Sequence, residues 1–91
     1  MLDDNDICKY IEALKQKILE LRKTLSGLGE IYLFEEACIV LDFKLEKYFR
    51  EDISTLCMYS CQLILNNHYL KPGMGTTYEN AYENAVSIFF N

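Results

Sequence analysis

From Asp6 to Leu25 the chain repeats one step. Ile7, Ile11, Leu14, Ile18, Leu21 and Leu25 recur every three or four residues, while Lys9, Glu12, Lys15, Lys17 and Arg22 fill the other side. That spacing predicts an amphipathic helix with a single buried stripe. Asn5 or Asp6 is placed to cap it, and Asp3, Asp4 and Asp6 suit the positive end of its dipole. Ser26-Gly27-Leu28-Gly29 follows, with glycines able to take the left-handed backbone that closes a helix.

A second helix is predicted from Glu30 to Arg50, with Phe34, Ala37, Cys38, Leu41, Leu45 and Tyr48 as its stripe. Its first residues, Ile31-Tyr32-Leu33-Phe34, are strand formers, but no partner strand is evident and they read as helix or loop. Glu51-Asp52 interrupts the pattern, and Asp52 can cap what comes next. From Ile53 to Asn67 the apolar positions surround nearly the whole circumference, as in a helix at the centre of a bundle. Asn66-Asn67 ends it.

Residues His68 to Gly75 read as a connection with a turn at Pro72-Gly73 and with Met74 plugging the edge of the core. Thr76 and Glu79 form a capping box for a last helix that runs to about Phe90. There Tyr78-Glu79-Asn80-Ala81 recurs as Tyr82-Glu83-Asn84-Ala85, a ladder at one step per helical turn. Four helices with short connections give the expected fold class: an all-α, antiparallel four-helix bundle made of a single domain over residues 1–91.

Composition supports a folded domain. Of 91 residues, 51% are hydrophobic, and there are only one proline and four glycines to interrupt them. The net charge of −5 argues against nucleic acid, which selects clustered lysine and arginine. Eight of the nine basic residues lie at or before Arg50, leaving Lys71 as the one cation of the second half. That half is expected to be buried or to face a partner. The acidic start lacks the features of a secretory signal, and no stretch is long and apolar enough to span a membrane. These features predict a cytoplasmic protein with its four cysteines reduced and buried.

Chemistry-bearing residues are sparse. Cys57 and Cys61 share a helical face in this reading but sit among apolar residues, which favours packing over zinc. His68, the one histidine, lacks an accompanying nucleophile motif and follows an expected helix end, where a positive ring complements the dipole. Glu35-Glu36 and Glu51-Asp52 do not converge as catalytic pairs would. Gly73-Met74-Gly75 lacks the remainder of a phosphate-loop fingerprint. No cofactor and no metal are expected, and the protein is read as non-enzymatic. The tyrosines are the strongest functional candidates, divided between core packing and an anchoring surface with a protein partner. Self-association into a homodimer stays open.

The stretch Leu65-Asn66-Asn67-His68-Tyr69-Leu70-Lys71-Pro72, followed by Tyr78, resembles a pattern in the cytoplasmic immunity proteins of class IIa bacteriocins, the enterocin A and pediocin type. The resemblance extends from about Ile39 to Tyr82. It implies an antiparallel four-helix bundle that protects a bacterial producer cell by associating with the membrane receptor permease and its bound bacteriocin at the inner face of the membrane. Recognition is attributed in that family to the carboxyl-terminal half. The partner-binding candidates here are His68, Tyr69, Lys71, Tyr78 and Tyr82, with Phe89 and Phe90 at the apolar end. Asp42-Phe43-Lys44-Leu45-Glu46 distantly resembles small aspartyl-phosphate phosphatases of sporulation, an enzyme alternative in which Glu46 matters. A third reading is a phage or host regulator that binds a protein through its last helix.

Overall fold

The structure, a computed structural model, describes residues 4–52 and 58–90. It is a two-layer α/β arrangement, not the expected four-helix bundle. Helices α1 (Asp4–Thr24) and α2 (Glu30–Val40) are followed by strands β1 (Leu45–Asp52), β2 (Met58–Leu65), β3 (His68–Tyr69) and β4 (Gly73–Gly75). Helix α3 (Tyr78–Val86) and a 3-10 turn (Ser87–Phe89) complete the order. The sheet is antiparallel, with β2 between β1 on one side and both β3 and β4 on the other.

The first helix forms where its periodicity places it, with Leu14 and Ile18 fully buried and Ile7, Ile11 and Leu21 packed against the core. It begins at Asp4, so the caps expected at Asn5 or Asp6 lie inside it. Ile31-Tyr32-Leu33-Phe34 is helical, with Leu33 and Phe34 buried.

The second helix ends at Val40, well before the expected Arg50. The Phe43 N–H donates to Cys38 O (2.9 Å) and the Asp42 N–H to Ile39 O (3.1 Å), with Asp42 at φ 57°. This is a Schellman closure with aspartate in the left-handed position that glycine usually takes. Beyond it, Leu45, Lys47 and Phe49 alternate with Glu46, Tyr48 and Arg50 as a strand requires. Glu51 and Asp52 end that strand.

The expected third helix is replaced by β2. Leu65 pairs with His68, and Asn66 and Asn67 between them have φ of 49° and 69°. Two consecutive left-handed residues make the primed hairpin turn whose twist matches the flanking strands. Asn66 also ties the turn to β1: its Oδ1 accepts from the Lys44 N–H (2.8 Å) and its own N–H donates to Lys44 O (2.8 Å). Asp52, the predicted cap, is the last residue of β1; the start of the expected helix at Ile53, and Cys57, lie outside the described residues.

Residues 68–75 are largely strand, not a plain connection. Pairing runs Ile64 with Tyr69 on β3, then Cys61 with Gly73 and Ser60 with Met74 on β4, so the register advances by one residue between the two pieces. They are halves of one strand interrupted at Pro72, which cannot donate to a ladder. The Gln62 side-chain amide donates to Leu63 O and Leu70 O, filling the gap that the irregularity opens.

Side chains of β2 sort by parity. Cys61, Leu63 and Leu65 join helical Leu14, Ile18, Phe34 and Val86 in one buried cluster. Ser60, Gln62 and Ile64 line the opposite side of the sheet. Helix α3 lies on β2 and β4, with Ala81 and Ala85 against Gly73. The four-residue repeat of α3 therefore builds a small-residue track that lets helix and strand backbones touch. The cap of α3 is Thr77, whose Oγ1 accepts from the Asn80 N–H (3.0 Å), with Thr76 bonded to the Asn80 side chain. It lies one residue beyond the predicted Thr76. Met74 is 46% exposed on the far side of the sheet and does not plug the core.

Candidate functional site

The polar chemistry of this molecule gathers in two places, one under the sheet and one on its outer face. Under the sheet, Lys47 points toward the helices from β1. Its Nζ donates to Glu35 Oε2 on α2 (2.9 Å) and lies 4.9 Å from the Tyr82 ring centroid on α3. The Tyr82 hydroxyl donates to the same carboxylate oxygen (2.9 Å). Burial pushes the Glu35 carboxyl up, but the bonds from Lys47 and Tyr82 and the Lys47 charge outweigh it and hold it below its ordinary value. Burial and then the bond to Glu35 push the Tyr82 hydroxyl up.

Burial and then the Glu35 charge raise the Cys38 thiol to about 12, and burial raises Cys61 as well. A thiol held protonated is a poor nucleophile and a poor metal ligand. The cluster thus clasps α2, β1 and α3 together. Cys8, expected to be buried, is exposed.

The outer face of the sheet has no helix on it among the described residues. Across the strands, Glu46 of β1 pairs with Ile64 of β2, which pairs with Tyr69 of β3. Tyr48 pairs with Gln62 in the next row. These residues and Asn67 line a shallow groove of about 470 Å³. Ile64 forms its floor, only 6% exposed, while Tyr48 and Tyr69 stand as walls with exposures of 54% and 75%. The Tyr48 hydroxyl donates to Glu46 Oε1 (3.1 Å). A second groove adjoins beyond Tyr48, lined by Arg50, Ser60, Pro72 and Met74.

Comparison with models of protein families, with curated proteins and with solved structures finds no match.

The structure distributes the sequence-predicted candidates instead of gathering them. Tyr69 is on the outer face, and Lys71 is exposed in the link between β3 and β4. Tyr78 is half-exposed and meets Phe49 and Tyr59 edge-on, with ring centroids 5.4 and 4.5 Å away. Tyr82 and Phe89 are core residues, Phe89 lying 5.0 Å from the Phe34 ring. Phe90 sits under the Arg22 guanidinium at 5.4 Å.

His68 follows a hairpin turn, not a helix end. Its ring lies 5.7 Å from Tyr10, and its Nε2 is buried with no hydrogen-bond partner among the described residues. His68→Phe keeps the ring contact and removes the orphaned nitrogen. It is expected to raise stability by about 1 kcal/mol, read as a higher Tm in a thermal melt, and an unchanged or lower Tm refutes it.

Sequence reasoning missed Tyr48, Gln62 and Ile64 as site residues, and it singled out Glu46 for a different chemistry. Their signal is Asn66-Asn67: taken as a hairpin turn, that pair sets Ile64 across from Tyr69, and the alternation from Leu45 to Arg50 then places Glu46 and Tyr48 on the same side of the sheet. Among the described residues no group of three or more histidine, cysteine, aspartate or glutamate side chains is placed to hold a metal, and no helix is long and apolar enough to cross a membrane.

Proposed function

We propose that this chain is a non-enzymatic protein-binding module that works through the outer face of its sheet. The observation that carries this reading is the composition of that face. An antiparallel sheet with one solvated side normally turns polar residues to water there. Here the open side shows Tyr48, Tyr69, Met74 and Arg50, residue types enriched where proteins meet. The net charge of −5 supports a protein over a nucleic acid as partner.

The other readings lose their footing. The pattern that suggests bacteriocin immunity falls here on a hairpin, a broken strand and the start of α3, in place of the helices that the resemblance implies. The phosphatase alternative needs a helix at Asp42 to Glu46, where the chain turns and enters β1. Docking through the last helix would use its exposed face, which offers Glu79, Asn80, Glu83 and Asn84 with one half-exposed aromatic, Tyr78, already packed on Phe49 and Tyr59, while Tyr82 and Phe89 are buried.

The test is site-specific photocrosslinking in cells. A crosslinking amino acid replaces Tyr48, Tyr69 or, as controls, Lys9 and Glu83 on the helical side. The expected result is one protein, the same at positions 48 and 69, and none at the controls. Adducts concentrated at the helical positions would reject the reading.

A further inference from the structure

We infer that the groove between Tyr48 and Tyr69 is a recognition site for a cationic side chain, a lysine or arginine presented by the protein partner. The inference deepens the sheet-face reading and rests on it. Tyr48 and Tyr69 stand on β1 and β3, which flank β2 on opposite sides, in adjacent rows. Two strand spacings separate those strands by about 10 Å, a gap that admits one extended side chain between the rings with Ile64 and Gln62 beneath it.

Aromatic walls alone would accept a hydrocarbon, a nucleobase or a cation. The charge in the groove decides. Among its lining residues, Glu46 is the sole formal charge, and it is negative. Its carboxylate is fixed by the bond from the Tyr48 hydroxyl, and that bond leaves the other carboxylate oxygen available to an incoming N–H donor. Bonding of the hydroxyl to Glu46, then the carboxylate charge, then burial and lastly Tyr69 hold Tyr48 above its ordinary ionisation range, so the wall stays neutral. A neutral tyrosine face attracts a cation through its quadrupole, and a carboxylate at the rim adds a charge-assisted hydrogen bond. A phosphate-linked base would instead bring its anion toward Glu46.

The arrangement also has a direction. Along the outer side of β1 the order is Glu46, Tyr48, Arg50, so opposite charges flank the Tyr48 ring. Arg50 lines the adjoining groove and not this one. The cation is thereby steered to the Glu46 end.

The experiment titrates the full chain, labelled for amide NMR, with a short glycine-serine peptide carrying one central lysine. The controls are the same peptide with norleucine in place of lysine and a single-stranded oligothymidine. The expected result is saturable shifts of the Glu46, Tyr48, Gln62, Ile64 and Tyr69 amides at millimolar lysine peptide, with binding about tenfold weaker for the norleucine peptide. Glu46→Gln, which keeps a partner for the Tyr48 hydroxyl, and Tyr69→Ala, at a mostly exposed position, are each expected to weaken binding about tenfold without unfolding the chain.

Equal binding of the norleucine peptide overturns the cation inference and leaves the sheet face as an apolar docking surface. The same holds if no peptide shifts these amides while crosslinks persist at positions 48 and 69. Shifts of these amides by the oligonucleotide alone overturn both the inference and the protein-binding reading.

Discussion

Gly73→Ala is expected to cost about 3 kcal/mol, a large share of the roughly 5–15 kcal/mol that holds a small domain folded. A Cβ built at Gly73 collides with the backbone nitrogen of Ala85 and the backbone oxygen of Ala81. Neither atom can rotate aside, because both belong to the α3 ladder. Relief requires α3 to lift from β4, which would open the layer in which Ala81, Ala85 and Val86 are buried. At Gly75 the corresponding atom would lie 2.7 Å from Ala81 N and from Asn80 Cβ, so Gly75→Ala belongs to the same class. Gly29→Ala is the control. Its Cβ meets nothing nearer than Tyr32 Cδ2 at 3.9 Å, and its cost as a cap change stays below about 1 kcal/mol. Urea unfolding followed by circular dichroism separates the two, and equal losses at positions 73 and 29 would refute the account.

The second large effect is expected at Glu35. Glu35→Gln removes the charge that receives both Lys47 and Tyr82, and it should cost about 1.5 kcal/mol at neutral pH. That is the modest end for a charge-assisted pair, because the Lys47 and Glu35 side chains remain 37% and 34% exposed. The pH dependence identifies the cause. Glu35 has its folded pKa lowered from 4.5. Its contribution is present above the unfolded value and is lost as pH falls through the folded one. Parent and Glu35→Gln should therefore differ at pH 7 and converge by about pH 2. Tyr82 acts at the other end. Its folded pKa is raised from 10.0, so its contribution holds below that value and fades as pH rises past it. A difference between parent and Glu35→Gln that persists unchanged into acid would mean that shape and not charge carries the effect.

How much of this was legible in the sequence varies along the chain for physical reasons. The first helix shows a stripe at one period and polar residues at the others, and only one element satisfies that. The second helix ends without glycine or proline. Asp42 closes it by adopting φ 57°, a conformation that aspartate tolerates but does not announce. Without that stop, Leu45 and Tyr48 fit a continued helical stripe as well as they fit a strand. In β2 the run Leu63-Ile64-Leu65 is apolar on both faces, since Ile64 floors the outer groove while its neighbours fill the core. Such a run has no period with which to tell strand from helix. The decisive signal was Asn66-Asn67, a pair suited both to ending a helix and to turning a hairpin.

The candidate site depended on those assignments. Tyr69 stands out in the sequence as an aromatic and as part of the Leu65–Pro72 pattern that carries the resemblance, and it lies on the groove. Glu46, Tyr48, Gln62 and Ile64 become neighbours only through strand pairing, so no helical reading could have joined them. Tyr82 had the right residue type for a surface anchor, but the core claims it through Glu35 and Lys47.

The break in register at Pro72 has a consequence for how the protein behaves in a crowd. A sheet edge invites a second chain to zip onto its unpaired backbone groups. On the β3–β4 side the ladder is out of step by one residue and passes through a proline, so a straight strand cannot follow it for more than a few residues. On the opposite border β1 runs unbroken for eight residues, Leu45 to Asp52. Edge-to-edge misassembly of this chain is therefore expected to be one-sided, beginning along β1, and the charges that this strand carries at Glu46, Lys47, Arg50 and Glu51 are the gatekeepers against it.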